Sequence, residues 1–220
     1  KTIALIGGNI ILNGASLETK SGRIELGSIG SGKVNFNLTS ESLIFSYENA
    51  KTFKDIKMSN KAELNANSSF INTLETNLVD STSIQLQGRN IYLSNEIKFF
   101  ICCWLMLVYL SKESVILSYN QSNISPGIII FDASESYKIK NSFVRSQALL
   151  VGKGGEIVVS TKQILLEDSA SILAFNYGDK SGGDIKIRAS DSVNIMGITT
   201  GIEDFTSIVT NTFSNGDGGN

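Results

Sequence analysis

The chain has 220 residues with 19 basic and 21 acidic side chains, so its formal net charge is −2. Hydrophobic residues make up 41 % of it, which is enough for a sizeable core and excludes wholesale disorder. The balanced charge argues against nucleic acid as a partner, because binding to its phosphate backbone needs a basic surface. The lack of histidine removes the commonest general base and the commonest transition-metal ligand.

Glycine is abundant, with 20 residues, whereas the single proline is Pro126. This balance favours tight turns between short strands over a proline-rich linker. The chain begins inside a strand-like pattern without an initiating Met or a signal peptide. It stops at Gly216-Asp217-Gly218-Gly219-Asn220, a kind of turn that elsewhere precedes a strand. We therefore expect the chain to be a fragment of a longer protein.

Short segments of alternating aliphatic and polar residues run along most of the chain. A period of two places the aliphatic side chains on one face of a half-buried strand. Each segment is bounded by Gly, Asn, Ser or Asp, which are the residues that supply turns. The aliphatic pairs are Ile10/Leu12, Ile24/Leu26, Ile84/Leu86, Ile91/Leu93, Ile157/Val159, Ile164/Leu166, Ile185/Ile187 and Val193/Ile195.

These segments also repeat along the sequence. The four aliphatic positions at 84, 86, 91 and 93 recur at one constant interval, position for position, as Ile157, Val159, Ile164 and Leu166. A second unit, Ala133-Ser134-Glu135-Ser136, recurs at a shorter interval as Ala189-Ser190-Asp191-Ser192. Gly-Gly pairs precede several of the units, at Gly7-Gly8, Gly154-Gly155, Gly182-Gly183 and Gly218-Gly219.

Repeated short strands could build a sandwich, a propeller or a solenoid. Sandwiches seldom show such self-similarity, and propeller blades carry aromatic signatures that this sequence lacks. Stacked coils explain the repeats, because each strand then pairs with its counterpart about 4.8 Å away. The sequence therefore predicts an all-β, right-handed, single-stranded parallel β-helix with inward ladders of Ile, Leu and Val.

Several motifs resemble a known family. They are Gly7-Gly8-Asn9-Ile10-Ile11-Leu12-Asn13-Gly14, then Ser21-Gly22-Arg23-Ile24-Glu25-Leu26-Gly27-Ser28, then Gln87-Gly88-Arg89-Asn90-Ile91, Ala189-Ser190-Asp191-Ser192-Val193 and Gly216-Asp217-Gly218-Gly219. In this order they resemble the filamentous haemagglutinin-like exoproteins of two-partner secretion, and in particular the cyanobacterial haemagglutinin repeat proteins. The likeness covers residues 1–97 and 127–220.

The resemblance implies a chain that an outer-membrane β-barrel transporter exports and that is then secreted or displayed at the cell surface as an elongated adhesin. The secretion domain of that family is not visible in the sequence. The implied organisation is N-terminal β-helix rungs in residues 1–97, an atypical apolar insertion or disrupted rung in 98–126, and C-terminal β-helix repeats in 127–220.

The departure from the pattern is an apolar run at residues 99–110, which holds both cysteines, Cys102 and Cys103, and the single Trp104. The step from Ile84 to Ile129 is longer by about 17 residues than the corresponding step from Ile157 to Ile185. Adjacent cysteines do not form a disulfide readily, and no zinc-binding spacing is present. The run is a buried or capping segment, a translated frameshift or degenerate repeat, or a membrane-associated segment. It is too short to cross a bilayer as a helix.

Other motifs are weaker candidates for chemistry. Glu167, Asp168 and Asp184 could supply paired carboxylates for glycoside chemistry, but Glu167 and Asp168 are adjacent and should point to opposite faces of a strand beside a turn. Residues 179–184 and 216–219 resemble calcium-binding Gly/Asp loops without their nonapeptide period. Gly30-Ser31-Gly32-Lys33 lacks the spacing of a phosphate-binding loop and is interpreted as a turn.

The Asn-x-Ser/Thr triplets at Asn37, Asn67 and Asn120 are interpreted as polar turns, and exposed Tyr92, Tyr177 and Phe205 could stack on sugar rings. We predict no catalytic residue, no cofactor-binding residue, no metal-binding residue and no stable membrane span.

Two functions fit these features of the sequence. The first is a structural and adhesive rod without enzymatic activity, which binds cells or glycans through repeated weak contacts; a variant is the stalk of a contact-dependent toxin. The second is a polysaccharide lyase or hydrolase on the same fold, since a fold does not determine a function. Such an enzyme needs acidic and basic side chains on one face of neighbouring coils, and in the sequence these residues are spread over different turns.

Overall fold

The computed structural model describes residues 2–20, 22–38, 43–67, 83–94, 98–101, 115–120, 127–148, 154–177, 180–197, 205–213, 215 and 218–219. Within these ranges every regular element is a β-strand. No helix there is long and apolar enough to span a membrane. The strands are β1 (Thr2–Gly7), β2 (Ile10–Asn13), β3 (Ser16–Lys20), β4 (Arg23–Gly32), β5 (Asn35–Leu38), β6 (Leu43–Ser46), β7 (Ala50–Phe53), β8 (Ile56–Ser59), β9 (Glu63–Asn67), β10 (Ser83–Ser94), β11 (Lys98–Ile101), β12 (Val115–Asn120), β13 (Ile128–Lys140), β14 (Phe143–Ala148), β15 (Glu156–Glu167), β16 (Ser171–Asn176), β17 (Ile185–Met196) and β18 (Ser207–Thr212).

Two parallel sheets account for most of these strands. Sheet A follows the order β1-β4-β10-β13-β15-β17, with β2 and β8 joined to it beside β10. Sheet B follows the order β3-β9-β11-β12-β14-β16-β18. The chain passes through sheet A, then through sheet B, and returns beside its own previous strand in sheet A. All-β architecture with a long parallel sheet, as predicted from the alternating pattern, is confirmed.

The long strands of sheet A consist of two halves. Near the middle of β10, β13 and β15 the register with the following strand shifts by one residue. Near the N-terminus the two halves are separate strands. The first half there consists of β1 and the beginning of β4, and the second half consists of β2 and β8. We call these the first half and the second half of sheet A.

The sequence repeats correspond to ladders of paired residues. Ile84 pairs with Ile129, which pairs with Ile157, which in turn pairs with Ile185. Both repeat intervals found in the sequence therefore span two steps of the stack. Successive register shifts have opposite signs and cancel over two steps, which explains why the repeats remain aligned in both halves.

The core is a single apolar cluster to which both halves of sheet A and sheet B contribute. Alternation places one aliphatic set inward on each strand, and Ile24, Leu26, Met58 and Leu64 are fully buried. Phe131 and Tyr137 replace aliphatic residues in β13, and their rings stack at 4.6 Å within the core. Burial of these ladders is the main stabilising term, at about 25 cal/mol per Å² of apolar surface.

Four of the described turns between the second half of sheet A and sheet B begin with the same conformation. The first residue after the strand is in the left-handed region in four turns: Gly14 at φ 61°, Asn60 at 55°, Asn141 at 46° and Asp168 at 52°. Gly, Asn and Asp tolerate this conformation best, which is why these residue types occur here. Equivalent turns are bonded to one another, since the amide of Gly14 donates to the carbonyl of Ser59 at 3.0 Å.

An antiparallel excursion interrupts the parallel pattern between β4 and β8. The end of β4 pairs with β7, and β5 pairs with β6 as a separate two-stranded sheet. Residues 29–54 therefore leave the stack and return to it. The sequence pattern does not predict this excursion, because alternation marks a strand without showing whether that strand pairs parallel or antiparallel.

The region around the apolar run contributes to sheet B. Strand β12 lies between β11 and β14, so sheet B has seven described strands where each half of sheet A has six. Phe99 pairs with Ile116, and the offset between them equals the surplus found by comparing the repeats. Cys102, Cys103 and Trp104 lie outside the described residues.

Candidate functional site

The outer face of the first half of sheet A carries the most closely connected polar cluster. Arg23 and Glu25 are both on this face of β4, two residues apart, and Gln85 is the register partner of Glu25 in β10. Arg23 binds one carboxylate oxygen of Glu25 through Nε at 2.9 Å and Nη2 at 2.7 Å, and it also donates to the Gln85 side-chain oxygen. Tyr47, from the antiparallel excursion, donates its hydroxyl to the other oxygen of Glu25 at 2.6 Å.

The Glu25 side chain has no solvent exposure. Burial raises the pKa of its carboxyl above the usual value, although Arg23 and the Tyr47 hydroxyl oppose that shift. Burial, together with the neighbouring Glu25 carboxylate, raises the pKa of the Tyr47 phenol well above its ordinary range. The cluster thus attaches the excursion to the sheet through a buried carboxylate.

A second carboxyl on the same outer face is Asp132. Its row, taken from the register, continues to Gln87 on one side and to Ser160 and Arg188 on the other. Burial raises the pKa of Asp132, opposed by a hydrogen bond from Gln87. The fold therefore brings an acidic residue, Asp132, and a basic residue, Arg188, into one row, although they belong to different coils.

An ion pair on the same face runs diagonally between two neighbouring rows. Lys186 Nζ lies 2.5 Å from Glu156 Oε1 on the neighbouring strand. The carboxylate of Glu156 raises the pKa of the Lys186 amine. The first half of sheet A thus presents Asp132, Glu156, Lys186 and Arg188 on one side of three successive strands.

Polar residues also form a ladder at the junction between the two halves of sheet A. Arg89 binds both carboxylate oxygens of Asp55, at 2.9 and 3.0 Å, and Asn90 donates to the same carboxylate at 2.9 Å. Ser136 in turn donates to Asn90 at 2.7 Å. The bond from Arg89 lowers the pKa of Asp55. The motif Gln87-Gly88-Arg89-Asn90-Ile91 therefore has a structural role in connecting successive strands.

The side-chain directions of Glu167 and Asp168 differ from the expectation. Lys140 lies 3.5 Å from Glu167 and 2.9 Å from Asp168, so both carboxylates point toward the same amine. The prediction of opposite faces is wrong because Asp168 has left the strand in a left-handed conformation. Lys138 pairs with Glu167 as well, at 2.7 Å. Asp184 directly precedes β17, at the opposite end of the long strands from Glu167, so the three acids do not form one site.

The aromatic candidates lie in different places. Tyr92 is half-buried on the outer face of β10, with the Lys57 amine 5.7 Å from its ring centre. Phe205 is 57 % exposed. Tyr177 stacks on Phe213 at 4.6 Å with an angle of 10° between the rings.

Stacking along the sheet limits what these last rings can bind. Phe175 meets Phe213 edge-on at 5.6 Å, and the Arg145 guanidinium lies 4.8 Å from the Phe175 ring centre. Stacking covers one face of Tyr177 and one face of Phe213, while Tyr177 remains 40 % exposed and Phe213 remains 56 % exposed. These contacts join Arg145, Phe175, Tyr177 and Phe213 into one group on the outer side of sheet B, and exposed ring surface remains on Tyr177 and Phe213.

The glycine motifs are structural. An added Cβ on Gly154 would overlap the backbone of Gly183, and one on Gly183 would overlap the carbonyl of Gly155, so the Gly-Gly pairs stack on each other. Among the described residues no group of three His, Cys, Asp or Glu side chains could hold a metal. Asp179, Gly216 and Asp217 of the calcium-like loops lie outside them.

The residues 30–33 that resemble a phosphate-binding loop and the Asn-x-Ser/Thr triplets were expected in turns, and the structure places most of them in strands. Gly30-Ser31-Gly32 is the end of strand β4, paired antiparallel with β7, and so its interpretation as a turn is wrong. Gly32 has φ 107°, and a Cβ there would lie 2.5 Å from the carbonyl of Asn49. Asn37 is within strand β5 rather than in a turn, and Asn67 and Asn120 are the last residues of β9 and β12.

Sequence patterns did not reveal the two carboxyls whose pKa values burial raises. Glu25 and Asp132 occupy ordinary outward positions of alternating strands, where a charged residue normally indicates solvent. Glu25 lies beneath the excursion that carries Tyr47, and no local sequence pattern predicts that contact. The chain matches no family model, no curated protein and no solved structure.

Proposed function

We propose that the chain is a section of right-handed, single-stranded parallel β-helix from a haemagglutinin-like exoprotein. One observation carries this proposal: successive strands pair in parallel in both sheets. Such stacking gives a rod about 4.8 Å longer for each coil. On this proposal residues 1–97 and 127–220 are β-helix rungs, interrupted by the antiparallel excursion at 29–54, and 98–126 is the atypical segment.

The proposed activity is adhesion without catalysis. A rod of this kind holds loops and outer faces at fixed intervals, so weak contacts repeat along its length. Repeated contacts raise the overall strength of attachment far above that of a single one. The proposed partners are cell-surface or glycan ligands, and during export an outer-membrane β-barrel transporter that leaves the protein secreted or at the cell surface.

Binding at two densities tests the proposal. The purified chain is applied to glycan arrays and to intact cells, once as free protein and once coated on beads. We expect weak signals from the free chain and apparent affinities about 10²- to 10⁴-fold higher from the beads. Beads carrying the urea-unfolded chain are the control. Failure of coated beads to bind any cell or glycan would refute adhesion.

A polysaccharide-cleaving enzyme is the second candidate, and the row containing Asp132 and Arg188 is what favours it. A carboxyl whose pKa is raised by burial is a common feature of catalytic sites, and Arg188 lies two strands away from Asp132 in the same row. The chain is incubated with pectin, alginate and related polymers while unsaturated and reducing-end products are measured. Turnover that Asp132→Asn abolishes and Glu156→Gln preserves would establish the enzyme. Absence of products with every polymer leaves adhesion as the proposal.

A further inference from the structure

The hairpin formed by β5 and β6 has one apolar face. Phe36 pairs with Phe45 and Leu38 pairs with Leu43, and directly paired residues of an antiparallel ladder lie on the same side. Phe36 is 65 % exposed and Leu38 is 81 % exposed, and the Phe36 and Phe45 ring centres are 6.3 Å apart. We call these four side chains the hairpin patch. Such a cluster of exposed apolar groups is a mark of an interaction site.

The excursion that carries the patch is firmly attached to sheet A. Tyr47 follows β6 and bonds to buried Glu25, and the hydroxyls of Ser31 and Thr52 are 2.8 Å apart across the β4–β7 pair. The amide of Lys54 donates to the carbonyl of Ser28 at 2.9 Å where the excursion rejoins the stack. These bonds hold the hairpin in place at its base, so its apolar face is not free to fold back onto the core.

The patch has the properties of a self-complementary surface. The described residues of the hairpin, 35–38 and 43–46, contain no charged side chain, so two identical faces can meet without repulsion. A two-stranded hairpin is only marginally stable alone and gains from a second apolar layer. A neutral face also lacks the lysines and arginines that attract proteins to anionic lipid.

The available area fits a weak, reversible pair. Phe36 and Leu38 are mostly exposed and Leu43 and Phe45 are partly buried, so two facing patches would bury roughly 800 Å² in total, which is smaller than a stable dimer needs and suits a weak, transient pair. A two-fold axis presents the same patch from both copies, as in most homodimers.

We propose that the hairpin patch is a self-association surface, through which two copies of the chain pack their β5–β6 hairpins face to face. Phe36 and Leu38 are the central contacts because they are the most exposed members of the patch. The proposal is independent of the glycan-binding function, since it concerns a different surface of the molecule.

Sedimentation velocity over a range of protein concentrations tests the proposal. For the unaltered chain we expect the sedimentation coefficient to rise with concentration toward that of a dimer. Leu38→Lys should weaken association about tenfold or more, because it places a charge at the centre of both facing patches. Ile11→Lys is the matched control, since Ile11 is 66 % exposed on the outer face of β2, away from the patch, and should leave association unchanged.

Three results would overturn the proposal. They are a chain that remains monomeric at the highest concentration, dimers that persist in Leu38→Lys, and equal loss of association in Ile11→Lys. Circular dichroism of both variants verifies that they remain folded. Flotation with vesicles of neutral and anionic phosphatidyl lipids is run in parallel, and binding of a monomeric chain through Leu38 would assign the patch to membranes instead.

Discussion

The hydroxyls of the half-buried Tyr47 and the buried Tyr137 are in opposite circumstances. The Tyr47 hydroxyl donates to the carboxylate of Glu25, whereas the fully buried Tyr137 hydroxyl has no hydrogen-bond partner among the described residues. A buried polar group is stabilising when it is bonded and costly when it is not. The same substitution, tyrosine to phenylalanine, should therefore have opposite effects at the two positions.

Tyr47→Phe should lower the free energy of unfolding by about 1.5–3 kcal/mol, since it removes a hydrogen bond to a charged group. Urea denaturation followed by circular dichroism measures the change. Tyr92→Phe, on the half-exposed outer face of β10, is the control and should change stability by less than about 0.5 kcal/mol. Equal stability of Tyr47→Phe and the unaltered chain would show that the bond does not attach the excursion.

Tyr137→Phe should raise the free energy of unfolding by about 1 kcal/mol or more, because it removes an unsatisfied hydroxyl and keeps the stacking on Phe131. The measurement is the same urea titration. A loss of stability in this variant would contradict the prediction, because it would mean that the hydroxyl is bonded inside the core.

Glu25 makes stability depend on pH in a direction that can be derived. Burial raises its pKa in the folded chain, so folding favours the protonated form. That contribution is fully present below the unfolded pKa and is lost as the pH rises through the folded pKa. Glu25→Gln cannot titrate, so the stability of the variant relative to the unaltered chain should be greater at pH 7 than at pH 4. Urea titrations at both pH values measure this difference, and the reverse order would contradict the assignment.

At the scale of elements, close stacking of the turns restricts which residues can precede a strand. The pairs Gly154-Gly155 and Gly182-Gly183 stack so closely that a side chain on one would overlap the backbone of the other. Gly183→Ala should therefore destabilise the chain by about 1–3 kcal/mol through overpacking. Gly8→Ala is the matched control, because nothing lies within 4 Å of a Cβ at Gly8. Thermal unfolding of both variants provides the comparison, and similar melting temperatures would exclude close stacking.

The elements also show what could be predicted from the sequence. Alternation identified the inward ladder of Ile84, Ile129, Ile157 and Ile185, because burial on one face leaves a period of two. It could not identify the excursion at 29–54, since antiparallel and parallel strands alternate alike. The surroundings of Glu25 and Asp132 depend on contacts far apart in the chain, which a local pattern does not contain.

At the scale of the whole molecule, comparison of the repeats predicted an insertion and its length. The surplus between Ile84 and Ile129 matches the offset from Phe99 to its register partner Ile116, and it adds one strand to sheet B without adding one to sheet A. A stack can absorb such an addition because each strand depends mainly on its two neighbours. The repeat interval alone did not show which sheet would gain the strand.

Disulfide cross-linking tests parallel, in-register stacking most directly. In a Cys102→Ser/Cys103→Ser background, cysteines replace Val158 and Lys186, or Leu165 and Asn194, which are register partners in β15 and β17. Neighbouring strands bring such residues within the Cα separation of about 4.4–6.8 Å that a disulfide requires. Parallel stacking predicts that both pairs form disulfides and that the exchanged pairs, Val158 with Asn194 and Leu165 with Lys186, do not. Disulfides in the exchanged pairs instead would show that the strands run antiparallel and would contradict the stacked, parallel fold.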